Sequence, residues 1–152
     1  MKNRTLFRRF PVYAVLVAAI LATAALAQTG IANRGVQKRI NMMIAANTAV
    51  DTLAKMMAGT QRFDRGRARD ARRTLIAVTR SIPSAFRKRH TDPLSRASPA
   101  IWTQWGDFKS RARTARDTAQ TLDVSRLGAL RATLPDMIRT CRDCHRSYRS
   151  GP

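Results

Sequence analysis

Apolar residues recur along this chain in steps of three and four, the period of an α-helix with one buried face. Between Ile31 and about Ala58 they fall at Val36, Ile40, Met43, Val50, Ala54 and Met57. Only the early Gly35 disfavours a helix there, Asn47 interrupts the seam, and Gly59 supplies a C-terminal breaker. A link from Thr60 to Phe63 leads to Asp64, a good N-cap, and to a second stripe of Ala68, Ala71, Leu75, Val78 and Ile82. Pro83 is expected to end or kink that helix. From Ser84 to Ser98 the periodicity lapses, and Pro93, a basic run and small polar residues predict a long crossover loop. Ser98 and Pro99 then cap and open a third helix, with inward positions Ile101, Trp105, Phe108, Ala112, Ala115, Ala119 and Leu122. Asp123 is expected to cap a fourth, whose stripe runs Leu127, Leu130, Leu134, Ile138, Cys141 and Tyr148. Pro135 inside it should delete one backbone hydrogen bond and bend the helix.

Four amphipathic helices with no strand signal predict an all-α fold, an antiparallel four-helix bundle. The inward alanines of helices two and three leave volume that a flat cofactor would fill, or they simply let helices pack closely; the pattern does not separate the two.

Composition changes this picture in two ways. The first 27 residues read as a cleaved signal peptide: Lys2, Arg4, Arg8 and Arg9 precede an apolar stretch from Val12 to Leu21, and Ala25-Leu26-Ala27 suits the cleavage site. The alternative is an uncleaved anchor. A mature domain of residues 28–152 would be exported to the periplasm. Removing those four cations from the 29 Lys and Arg leaves 25 against nine acidic residues, about +16 from an overall +20. Every acid is Asp and most bases are Arg, so the surface is either simply solvated or attracts an acidic redox partner or an anionic membrane. Nucleic acid is excluded as a partner, because an exported chain rarely meets it and no aromatic or Gly-rich binding motif accompanies the charge.

The candidate chemistry lies in Cys141-Arg142-Asp143-Cys144-His145, a C-x-x-C-H run that reads as a covalent attachment site for haem c. Two thiols form thioethers with the porphyrin vinyl groups, and the adjacent imidazole ligates iron. On a helix, positions three and four apart share one face, so all three side chains can grip one macrocycle. A thioredoxin-like dithiol would want a strand-turn-helix context, and half of a zinc site would need two more ligands, with His90 the one His or Cys left over. Haem attachment uses both cysteines and leaves none for a disulfide.

The C-x-x-C-H run at the C-terminal end of a four-helix chain, followed by Tyr148-Arg149, resembles the class II c-type cytochromes, the cytochrome c-prime family. Further matches are Gly59 to Asp64 at the first link, Phe86, Pro99 to Trp102 and Phe108. Cytochrome c-prime is itself an up-down four-helix bundle. The resemblance implies a basic residue near a haem propionate, matched by Arg39, and the sixth iron position four residues later, at Met43. In cytochrome c-prime proper that position is a non-ligating side chain and the iron stays open to small gases. In the low-spin branch it is a ligating methionine. Arg149 is implied to contact the proximal pocket or a haem edge, and the outer faces of helices one and two are implied as a homodimer surface.

Met43 also satisfies the pattern on its own account, being an inward thioether suited to haem iron. Against it stands the use of methionine as core filler, with Met42, Met56, Met57 and Met137 in the same chain. Met42 lies about 100° round the helix, so both cannot point at one iron. His90, in a basic loop, is expected to be exposed. The expected function is single-electron transfer by a His145/Met43-ligated haem c, with no enzyme chemistry, since no acid-base pair or activated nucleophile is evident. The alternatives are a five-coordinate haem that binds NO or CO, and a basic interaction protein whose cysteines form a redox or metal pair.

Overall fold

The computed structural model describes residues 30–151; the expected signal peptide lies outside the described residues. Among the described residues there are five helices: α1 (Arg34–Ala58), α2 (Arg65–Phe86), the single turn α3 (Ala100–Thr103), α4 (Trp105–Thr121) and α5 (Leu127–Tyr148). The four long ones form the antiparallel bundle that the periodicity predicts. Each packs on its neighbours in the ring α1, α2, α4, α5, and the contact that closes the ring, α5 against α1, is the lightest.

Local chemistry explains most boundaries. Asn33 caps α1, its side-chain oxygen accepting from the amides of Gly35 and Val36 at 2.9 and 3.2 Å. Gly59 ends the helix in the left-handed conformation, φ 79°. Asp64 caps α2 through the Arg67 amide at 2.7 Å. Pro83, however, neither ends α2 nor stops its last turn. The carbonyls of that turn are taken by side chains, Ala85 by Arg39 Nε at 3.0 Å and Phe86 by the Trp102 indole at 2.9 Å, so the turn survives the missing N–H. Pro135 is likewise carried within an unbroken α5.

Three further expectations are corrected. The third helix is broken at Gln104 (φ −115°, ψ 40°), which separates α3 from α4 while Trp102 is held on Phe86. Asp123 does not cap the fourth helix: its carboxylate accepts from the Ser125 amide at 2.8 Å in a turn, and α5 begins later, after an extended Arg126 with no side-chain cap. The buried line of α1 is Val36, Arg39, Ala49, Leu53 and Met56, with Val50, Ala54 and Met57 half-buried beside it. Of the stripe read from the sequence, Val36 lies in the buried line, and Ile40, Met43, Val50, Ala54 and Met57 are half-buried.

The core divides into two clusters. One is aliphatic, with Leu53, Met56, Leu75, Leu130, Leu134 and Met137 at its centre. The other is aromatic, with Phe86, Phe108 and Tyr148 buried and Trp102, Trp105, Met42, Met43 and Cys144 packed against them. Phe108 holds this end together, its ring 5.3 Å from Phe86, 5.5 Å from Trp105 and 5.2 Å from Tyr148 between centroids.

Candidate haem site

The site lies on the seam between α1 and α5, the most lightly packed pair of neighbours in the ring. Arg131, near the start of α5, donates from Nε to the Met57 carbonyl near the end of α1 at 3.1 Å. Counting back along α1 and forward along the antiparallel α5 by equal steps brings Met43 about level with His145. The phases agree with the levels. Ala45, Thr48, Ala49 and Thr52 line a cleft with α2 residues, as does Met42 with Val78. Met43 lies about 100° away from Met42, on the α5 flank. On α5, Tyr148 turns to α4 while Arg131 turns to α1, and His145 lies in phase between them.

Cys141 and Cys144 are half-buried free thiols, Cys141 against the aliphatic cluster and Cys144 against the aromatic one. Burial raises the pKa of both. A thioredoxin-like dithiol would want a strand-turn-helix context, whereas both thiols stand inside one continuous helix. The zinc reading fares no better, since no group of three or more His, Cys, Asp or Glu gathers among the described residues. His145 is solvent-accessible, yet partial burial, and then the charge of Arg149, lower its pKa. That favours the neutral imidazole, the form that binds a metal. Two thiols and an imidazole within about one turn and a third of a single helix fit the set that attaches a haem c and ligates its iron from one side.

The two arginines occupy different places. Arg149 is the C-cap of α5, its amide donating to the His145 carbonyl at 3.0 Å and its backbone bridging to Ala97. Arg39 is 3% exposed. Its Nε donates to Ala85 O, one terminal nitrogen to His90 O at 3.2 Å and the other to Lys88 O, while the guanidinium lies 4.6 Å from the Phe86 centroid and 5.4 Å from that of Trp102. It clamps the crossover loop to α1 and has further N–H groups to spare. His90 is half-buried rather than exposed, its ring lying over Gly35, which removes it as a candidate ligand at the α5 flank.

Pattern reading passed over Asp107. Its carboxylate accepts from the Tyr148 hydroxyl at 2.5 Å and from Arg111 Nε at 2.7 Å, tying the end of the haem-motif helix to α4. A tyrosine on the inward stripe three residues after His145 needed a partner for its hydroxyl, and that was the available signal.

Residues 34–149 match the family model described as Cytochrome C'. The chain belongs to the cytochrome c' family. Cytochrome c-556 of Agrobacterium tumefaciens (strain B2A) is 30% identical over 118 residues, covering 75% of this chain and 95% of that protein. Cytochrome c-556 of Agrobacterium fabrum (strain C58 / ATCC 33970) is 28% identical over 118 residues, 75% of this chain and 80% of its own. The fold matches solved cytochrome c' structures. That from Rhodobacter Spheriodes superposes with a TM-score of 0.71 at 21% identity, over 78% of this chain and 96% of the other. That from Rubrivivax gelatinosus gives 0.68 at 19%, over 81% and 100%. As a member of the cytochrome c' family the protein carries covalently attached haem c, whose iron supplies a one-electron couple.

Proposed function

We propose that this cytochrome is a periplasmic single-electron carrier, not an enzyme, in which His145 from α5 and Met43 from α1 hold the iron between them. The supporting observation is the register: Met43 falls on the flank of α1 that faces α5, at about the level of His145, whereas Met42 lines the cleft toward α2. A thioether there closes the position where a substrate or gas would bind, which suits a carrier. Cys141 and Cys144 attach the group. Arg149 lies close enough to His145 to depress its basicity, and the spare Arg39 N–H groups would serve a propionate. No helix among the described residues is long and apolar enough to cross a membrane.

The competing reading is gas binding with Met43 as a non-ligating neighbour. A ferrous arginine-to-lysine variant of cytochrome c prime from Alcaligenes xylosoxidans, 21% identical with a TM-score of 0.69 over 78% of this chain and 94% of its own, is described with bound NO. Reduced-minus-oxidised visible spectra separate the two. Sharp low-spin bands insensitive to carbon monoxide are expected, turning high-spin in Met43→Ala and staying low-spin in Met42→Ala. Broad bands that respond to carbon monoxide in the unaltered protein, or a spectrum indifferent to Met43→Ala, would establish the gas-binding reading instead.

A further inference from the structure

The charge of this protein is unevenly spread round the ring of helices. Local ion pairs are shared evenly, Lys55–Asp51, Arg139–Asp136 and Arg146–Asp143 on α1 and α5, and Arg73–Asp70, Arg111–Asp107 and Arg116–Asp117 on α2 and α4. The outer face shared by α2 and α4 differs in the cations left outside such pairs. Arg72 of α2 reaches Gln120 O of α4 at 2.5 Å, which marks the flanks on which the two helices meet. At about 100° per residue, Arg65, Arg69 and Arg80 fall on that same side of α2, and Arg113 and Arg116 on that side of α4. Arg65, Arg69, Arg80 and Arg113 are exposed and have no ion-pair partner among the described residues. The acid on this face, Asp117, is already spent on Arg116 at 2.8 Å, and Asp70 lies on the α1 flank. Because α2 and α4 are opposite the α1–α5 seam in the ring, the cationic face lies on the far side of the bundle from Met43 and His145.

We propose that this α2–α4 face binds an anionic phospholipid surface. Two long antiparallel helices present a broad array of guanidinium groups, each able to hold a phosphate by two parallel N–H donors. The face lacks the buried aromatic anchor that concentrates affinity in a protein interface, and Trp102 and Trp105 are turned into the aromatic cluster. Delocalised charge without a hot spot suits a fluid headgroup layer better than a shaped partner. Binding this way directs the α1–α5 seam away from the membrane. The inference adds to the carrier reading but does not depend on the iron ligands, so the visible spectrum and the test below can fail separately.

The test is co-sedimentation of the holoprotein with vesicles of phosphatidylcholine alone or mixed with phosphatidylglycerol, at low and high salt. Binding is expected to the mixed vesicles and to weaken with salt. The combined variant Arg69→Glu, Arg80→Glu, Arg113→Glu should bind more than about a hundredfold more weakly. A control with the same change in charge on α1 and α5, Lys38→Glu, Lys55→Glu, Arg139→Glu, should stay within a fewfold of the unaltered protein. An unchanged haem spectrum and helical dichroism certify the fold, and replacement of the same three arginines by Gln should give an intermediate loss. Equal weakening by both Glu sets would reduce the effect to net charge and overturn the assignment. So would failure of the unaltered protein to bind the mixed vesicles, including the case where soluble polyglutamate binds it instead.

Discussion

A methyl group on Gly35 would stand 2.3 Å from His90 Cδ2 and 2.5 Å from Cγ, inside the ring's van der Waals surface. The glycine that looked like a weak spot in helix one is therefore the seat of a loop side chain. Gly35→Ala should lower stability by about 1–2 kcal/mol in urea denaturation through overpacking. Combining it with His90→Ala should recover most of that loss, and no recovery would mean that the ring is not what the methyl strikes. Asp107 works through charge. Hydrogen bonds from Tyr148 and Arg111 hold its carboxyl below the usual carboxylate range. A depressed folded pKa contributes stability that is present above the unfolded value of about 3.9 and is lost as pH falls through the folded pKa. Asp107→Asn should thus flatten the acid limb of stability against pH, and denaturation midpoints measured down the acid range will show whether the slope changes.

Among the elements, helix existence was legible because it depends on local periodicity, whereas phase and ends were not, because they depend on partners distant in sequence. Leu53 and Met56 form the buried line of α1, because α2 and α5 decide which face is covered, while Met43 and most of its stripe are half-buried. The same holds for Asp123, drawn into a turn with Ser125 and facing Thr133 across ten residues, and for α2 running past Pro83 because Arg39 and Trp102 cap its carbonyls. The family was legible in the run from Cys141 to His145 because a motif is local, while the register that pairs α1 with α5 was not. Arg39 binds the crossover loop with a charge that burial makes costly, as its lowered pKa records. Arg39→Leu leaves three carbonyls without their donor and should cost about 3 kcal/mol, with faster amide exchange concentrated in residues 87–91. Arg39→Lys should not rescue it, because a point charge cannot span the three acceptors or lie flat between Phe86 and Trp102. Rescue by lysine would show that charge alone anchors the loop.

At the scale of the whole molecule, the two core clusters have different dependences on the cofactor. In the aliphatic cluster Leu53, Met56, Leu75, Leu130, Leu134 and Met137 are all fully buried by protein atoms alone, inside a half-buried rim that includes Val50, Met57, Ile138 and Cys141. In the aromatic cluster Met42, Met43, Trp102, Trp105 and Cys144 remain only partly buried, and the seam between α1 and α5 is the weakest in the ring. Each cluster carries one of the cysteines, Cys141 the aliphatic and Cys144 the aromatic; a haem held by both would add most where protein packing is lightest, so folding and attachment are expected to be coupled more strongly at the aromatic end. The double change of Cys141 and Cys144 to Ser should therefore abolish covalent haem, read as loss of the haem band after denaturing electrophoresis. It should also divide the bundle in hydrogen exchange. Amides of α1 around 49–56 and of α5 around 130–137 should keep their protection, while those around 36–43 and 144–148 lose it. If all four segments lost protection together, the bundle would be one cooperative unit that the haem holds from end to end, and the aliphatic cluster would not suffice to fold alone.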